Sequence, residues 1–225
     1  MGGSFLRILF DEIRGFSSFL NLPILFELVS MQTMWPKKLA QKLRVEPEKD
    51  FQLPHETSAA VLVLFLPSTD NGLGHLLLTK RTSKVESHKG QMSFPGGFRE
   101  KTDAGWLETA LREAQEEVGI SRDQVHVLGC LNPVLTKGAI TIVPYVGILN
   151  SPYQFQVNPD EVEKIVLLPI ETLLQHGLKP VEAREEHYTI QSIGISWEGE
   201  LIWGATAKML EQIHEILGQI IKETS

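Results

Sequence analysis

The sequence predicts an α/β fold, a mixed β-sheet with helices against its faces. Three observations carry this prediction. Residues 59–66, AAVLVLFL, are an unbroken β-rich apolar run, the pattern of a buried strand. Other short β-rich runs flank a single stretch, residues 105–118, where the apolar period changes to three and four residues. An amphipathic segment, residues 205–223, follows through Met209, Leu210, Ile213, Ile216, Leu217 and Ile220. Strands, an inserted helix, more strands and a final helix form the element order of a helix-covered sheet.

Residues 1–50 are expected to be an N-terminal helical extension, and residues 51–225 the main domain. Helix is expected over 4–45, broken near Asn21-Leu22-Pro23 and again near Trp35-Pro36. The charged, proline-bearing stretch RVEPEKDFQLPHETS reads as a linker or edge segment. After the first strand, STDNGLG supplies turn residues and HLLLTKR returns as a second strand, making a hairpin. A third short strand around Gln91 to Phe94 leads into a Gly-Gly turn.

The inserted helix carries Leu107, Ala110, Leu111, Ala114 and Val118 on one face, with Gly119 placed to cap its C-terminus. Strands are expected at 124–131 and 140–149. The stretch 159–177 reads as a strand followed by a short helix opened by Pro169. VEAREEHY reads as an exposed charged loop, and 187–204 as strands around a Glu-Gly turn.

The 225 residues suffice for a real core, and the composition, 42% hydrophobic and 22% charged, is that of a globular protein. A net charge of -7 argues against a general nucleic-acid binder, because phosphate backbones are held by basic surfaces. A phosphate substrate would therefore need positive charge from outside the chain. Cys130 is the only cysteine, which points to a reducing, cytoplasmic setting without an intrachain disulfide. Asp11, Glu12 and Arg14 interrupt the N-terminal apolar run, unlike a signal peptide. FSSFLNLPILFELVSM is too short to span a membrane and contains Pro23 and Glu27. It reads as a helical cap docked on the domain or as the contact surface of a homodimer, rather than as a membrane contact.

Glu113, Glu116 and Glu117 stand at i, i+3 and i+4 of the inserted helix, which gathers them on one face, expected opposite the apolar stripe. Like charges at this spacing repel by a few tenths of a kcal/mol per pair. Three such glutamates alone more often mark a solvated surface than a site. Their frame favours a cation instead: a strand, a Phe-Pro-Gly-Gly turn, a short acidic loop and then Arg-Glu-Ala-Gln-Glu-Glu-Val-Gly, in that order. Magnesium takes oxygen ligands and typically joins one or two carboxylates to substrate phosphates. A preceding Gly-Gly lets a backbone carbonyl or a phosphate approach closely.

GGFREKTDAGWLETALREAQEEVGI closely resembles the Nudix box, G-x5-E-x7-R-E-U-x-E-E-x-G-U with U apolar. Gly97 begins it, Asp103 takes the first acidic place, one extra residue precedes Arg112, and Ala114 fills an apolar place. The resemblance implies an α/β/α sandwich and hydrolysis of a nucleoside diphosphate linked to another moiety. It also implies Mg²⁺ or Mn²⁺ held by Glu113, Glu116, Glu117 and the Gly97 backbone. Glu116, Glu113 and Arg112 would be the catalytic residues, Arg112 by fixing the carboxylates' orientation. Many relatives recruit a further acid from a later loop, for which Glu182, Glu185 and Glu186 are the candidates.

Asp103 with eight following residues is similar to the box of the coenzyme A pyrophosphatase branch, whose second motif lies just upstream. LLTKRTSKVESHKGQMSFPGG matches that motif at Leu77, Leu78, Thr79, Arg81, Gly90, Phe94, Pro95, Gly96 and Gly97. It implies that Lys80, Arg81 and Gly96 bind substrate. Thr82 replaces a Ser or Ala, and Glu86 replaces an arginine, reversing a charge. His88 and Trp106 read as structural. Three functions follow in order: a coenzyme A or acyl-coenzyme A pyrophosphatase, a Nudix hydrolase of ADP-ribose or a nucleotide sugar, and a non-catalytic Nudix-fold binding module. The last is weakest, since the glutamates it would not need are present.

Overall fold

The computed structural model describes residues 35–45, 57–68, 72–84, 90–149, 153–185 and 188–223. Residues 1–34, with most of the expected helical extension, lie outside these, as do Glu86, His88 and Glu186. Helix α1 covers residues 35–42, with Pro36 in its first described turn, where a missing N–H costs nothing. Trp35 is buried and packs on Phe65 with ring centroids 5.2 Å apart; Leu39 and Leu43 join the same core. Arg44 bridges to Cys130 through paired backbone hydrogen bonds of 3.0 and 2.9 Å.

The main sheet begins with β1 (Ser58–Leu66) and β2 (His75–Arg81). Every residue of β1 is buried, because apolar layers cover both sheet faces. Its alternate residues divide between them: Val61, Val63 and Phe65 face one core, and Ala60, Leu62, Leu64 and Leu66 the other. β1 and β2 pair antiparallel at Phe65↔Leu76 and Leu66↔His75. Below that point they part, and the segment bearing β3 (Met92–Ser93) and β4 (Gly96–Phe98) enters between them. β3 bonds to β2, and β4 bonds to β1. This wedge carries Gly96 and Gly97 into the middle of the sheet as strand residues, where the sequence suggested a turn.

Helix α2 (Trp106–Val118) lies against the face lined by Ala60, Leu62 and Leu64. Gly119 ends it at φ 74°, its N–H reaching the carbonyls of Ala114 and Gln115, as the glycine predicts. β5 (Val125–Cys130), β6 (Val134–Leu135) and β7 (Thr141–Leu149) follow. β7 runs parallel to β1, and β5 and β6 pair antiparallel with it. β8 (Val162–Pro169) pairs antiparallel with β2, and Pro169 opens the short helix α3 (Ile170–His176).

β9 (Lys179–Glu185), β10 (Tyr188–Trp197) and β11 (Glu200–Trp203) form a separate antiparallel sheet. The stretch read as a charged loop is thus strand β9: Ala183 is buried while Glu182 and Arg184 are exposed. Alternation is present there, but the buried partner is a small alanine between long charged residues, so the apolar signal is faint. Helix α4 (Gly204–Lys222) packs through Met209, Leu210, Ile213, Leu217 and Ile220 into the core that holds α1. The result is an α/β/α sandwich with α2 on one face of the mixed sheet and α1, α4 and the small sheet on the other.

Candidate metal centre

The site grows from the wedge and the helix beside it. At Gly97 a Cβ would sit 2.6 Å from the carboxyl carbon of Glu113, and at Gly96 one would sit 2.6 Å from Val61 Cα. Two residues without side chains therefore let α2 lay a carboxylate directly against the strand. Glu117, one turn on, is only 3% exposed. Its oxygens accept from the Gly96 N–H at 3.4 Å and from the Thr79 hydroxyl at 3.3 Å, both long for hydrogen bonds.

Glu161 supplies a third carboxylate from the loop before β8. One oxygen each from Glu113, Glu117 and Glu161 lie within 4.8 Å of one another. The loop is moored on both sides of the wedge: Asn158 N–H donates to Glu117 O at 3.0 Å, and Thr82 N–H donates to Glu161 O at 2.9 Å. Residues from α2, β2, β4 and this loop thus converge on one spot.

Glu116 does not join them. A helix turns about 100° per residue, so Glu113 and Glu117 project about 40° apart while Glu116 lies about 100° from Glu117. Its side chain is 50% exposed and meets Arg112 Nη1 at 2.8 Å. The expectation that all three glutamates lie opposite the apolar stripe is therefore corrected: Glu117 is buried on the edge of that stripe, beside Ala114 and Val118.

Arg112 is the hub of the outer side. It donates to Asp103 through Nε at 3.0 Å and Nη2 at 3.2 Å, and to Phe98 O at 3.1 Å, and it pairs with Glu113 at 3.0 Å. Asp103 also accepts from the Glu100 N–H and the Thr109 hydroxyl, both at 2.9 Å. Burial alone would raise the Asp103 pKa, but the bonds from Arg112, Glu100 and Thr109 outweigh it and hold the carboxyl below its usual range. Trp106 is buried, with Arg99 over its ring at 5.5 Å.

The cluster behaves in the opposite sense. Burial raises the Glu113 pKa despite the adjacent Arg112. It pushes Glu117 up to about 7, with Glu113 and Glu161 adding to the rise against the Gly96 N–H and the Arg81 charge. Buried acids at this spacing lack enough positive charge among the described residues. An all-oxygen donor set suits a hard divalent cation such as Mg²⁺ or Mn²⁺, with no sulfur or imidazole in the group.

The other expected residues divide. Arg81 lies near enough for its charge to act on Glu117, and its Nε is buried without a hydrogen-bond partner among the described residues. Lys80 instead pairs with Glu163 and Glu200, both at 3.1 Å. Glu182 is exposed on β9 and accepts from Gln191 at 2.6 Å, and the Glu185 side chain lies outside the described structure. Glu161 is the acid that sequence reasoning missed. It stands 44 residues from Glu117, and only the pairing of β8 with β2 brings the two together.

The chain resembles known proteins over most of its length. Residues 55–189 match the model of the NUDIX domain. The chain is 33% identical over 195 residues to an uncharacterized Nudix hydrolase, NudL, of Pectobacterium atrosepticum, covering 85% of this chain and 95% of that protein. It is 38% identical over 143 residues to a protein of the same description from Photorhabdus laumondii, covering 61% and 74% respectively. Among solved structures, a MutT/nudix family protein from Enterococcus faecalis superposes with a TM-score of 0.50 at 16% identity, covering 76% of this chain and 67% of that one, a likeness of fold. The chain belongs to the Nudix hydrolases, a family acting on the pyrophosphate bonds of nucleoside diphosphate derivatives.

Proposed function

We propose that this hydrolase cleaves the pyrophosphate of coenzyme A or acyl-coenzyme A, releasing 3′,5′-ADP and (acyl-)4′-phosphopantetheine. The observation that carries the reading is the meeting of the upstream motif with the box. Thr79, Gly96 and Gly97 of the one touch Glu117 and Glu113 of the other, and Arg81 lies within electrostatic reach. The coenzyme A branch is distinguished by that upstream motif.

Glu113, Glu117 and Glu161 would hold the divalent cation. Such an ion supplies positive charge at the phosphate oxygens and makes a water more acidic. Arg112 holds Glu113 and Glu116 in place, so these carboxylates need no reorganisation when substrate arrives. Gly97, free of a side chain, admits the Glu113 carboxylate, and the Gly96-Gly97 backbone would lie beside the bound phosphate. Arg81, whose buried Nε has no hydrogen-bond partner among the described residues, would meet a phosphate oxygen. Glu116, half-exposed, would act through its bond to Arg112, keeping that guanidinium turned toward the cluster.

Assaying coenzyme A, ADP-ribose and UDP-glucose side by side with Mg²⁺ and Mn²⁺ tests the reading. Coenzyme A should give the highest kcat/KM, and a clear preference for either other substrate overturns it. One observation favours that second outcome: Glu86 stands where the branch motif has arginine. Like charges about 4 Å apart repel by ~4 kcal/mol at a surface-like dielectric before screening. Glu86→Arg should therefore lower the KM for coenzyme A, most of all at low salt. Unchanged kinetics at low ionic strength would remove Glu86 as an argument against coenzyme A.

A further inference from the structure

A loop aims a side chain only as well as its own hydrogen bonds allow. Glu161 sits on such a loop, Asn158-Pro159-Asp160-Glu161, and one residue makes most of its internal bonds. The Asn158 carbonyl accepts from the N–H groups of Glu161 at 3.2 Å and Val162 at 2.9 Å. Its Oδ1 accepts from the Asp160 N–H at 3.1 Å, closing an Asx turn. Its Nδ2 donates to Glu161 Oε1 at 3.1 Å. Its own N–H bonds to the carbonyl of Glu117 at 3.0 Å. Asn158 therefore ties the backbone of one cluster acid to the carboxylate of another.

The two ends of its amide fix the orientation. A flipped side chain would face N–H against N–H at Asp160 and oxygen against oxygen at Glu161. A turn-forming role alone accounts for the Oδ1 bond, which serine, threonine or aspartate can also make. It does not account for a second arm, the Nδ2 donor delivered to a cluster carboxylate while Oδ1 stays on the turn: aspartate has no proton to give, and a hydroxyl has one oxygen for both tasks. We propose that Asn158 is a positioning residue of the cation site, holding the Glu161 carboxylate at its distance from Glu113 and Glu117. This rests on the reading of Glu161 as a cation ligand.

The test is Mn²⁺ titration of the full chain, followed by the electron paramagnetic resonance of free Mn²⁺, with metal-free Tm as the fold control. Asn158→Ser retains a turn-forming oxygen, adds no charge and removes the amide N–H arm that reaches Glu161. It should bind Mn²⁺ about 10-fold or more weakly, the usual scale for losing a partner that orients a ligand, at nearly unchanged Tm. Glu161→Gln should weaken binding at least as much, and adding Asn158→Ser to it should change affinity by less than about twofold. Asn158→Ala is the second variant should Asn158→Ser lower the Tm. Wild-type Mn²⁺ affinity in either Asn158 variant, beside a weakened Glu161→Gln, overturns the role of Asn158 and leaves the site standing. Independent, multiplying effects in the double variant overturn it too. Wild-type affinity in Glu161→Gln removes Glu161 from the site, and this inference with it.

Discussion

Neighbouring residues of β2 lead into two charged regions that resolve burial in opposite ways. Thr79 meets Glu117 in the cluster with Glu113 and Glu161, three acids gathered within 4.8 Å. Lys80 meets Glu200 and Glu163 at 3.1 Å, and Lys164 meets Glu200 at 2.8 Å, two lysines for two glutamates. The bond from Lys164, against the pull of burial, and then the Lys80 pair hold the Glu200 carboxyl below its usual range. Those two glutamates likewise raise Lys80. Burial instead raises Glu113 and Glu117. An acid whose pKa is lowered has its counter-charge within the chain, whereas one whose pKa is raised awaits a proton or a cation. Both regions gather glutamates, and in the cluster alone burial outweighs the counter-charge that the described residues provide.

The largest effect should come from removing charge inside the cluster. Glu113→Gln and Glu117→Gln keep shape but should lower kcat by roughly 10²-fold or more under saturating Mg²⁺. Near wild-type turnover in both would place the chemistry elsewhere. The next effect is on stability. The folded pKa of Glu117 is raised from 4.5 to about 7, so its contribution to the metal-free protein is full below 4.5 and lost as pH rises through 7. The upper limit is on the order of 3 kcal/mol. Thermal melts of metal-free protein should show this decline, Glu117→Gln should flatten it, and Mn²⁺ should oppose it. A wild-type curve as flat as that of Glu117→Gln contradicts the raised pKa.

Glu116→Gln sharpens the comparison within one helix. Its side chain stands outside the cluster on Arg112, so the loss in kcat should be smaller, about 10-fold, the low end of the range for a group that acts by orienting the ligands' partner. A loss equal to that of Glu117→Gln would mean that Glu116 swings into the cluster on binding. The smallest effect is expected on the balanced face of β2. Glu200→Gln should cost about 1 kcal/mol, since Lys80 and Lys164 remain partly hydrated, and should leave kcat unaltered. Denaturant melts with parallel kinetics would check this, and a fall in kcat would join the two regions functionally.

Local chemistry made much of this legible. The period of α2 and Gly119 are properties of adjacent residues, and they predict both the helix and its end. The i, i+4 spacing predicts that Glu113 and Glu117 share a side, because a helix returns to the same direction after four residues. The same argument overreached with Glu116 and with the stripe. Spacing describes a free helix, while the sheet chooses which side is pressed down, and the gap at Gly97 draws Glu113 toward β4. β9 was missed because its inward residue is a lone alanine between charges, a pattern that burial alone distinguishes from a loop.

What the sequence by itself determined is most of the elements, the family and the pair of helix acids, since each is written within a few residues or one continuous motif. The tertiary structure decided the rest. The parting of β1 and β2 admits the Met92–Phe98 segment, and the pairing of β8 with β2 carries Glu161 to the cluster from 44 residues away. It also turned Lys80 toward Glu200 and set Trp35 and Leu39 of α1 into the core. The physical reason is one of range. Propensity and period act over a turn or a strand, whereas counter-charges and ligands are chosen by which distant segments the sheet brings side by side.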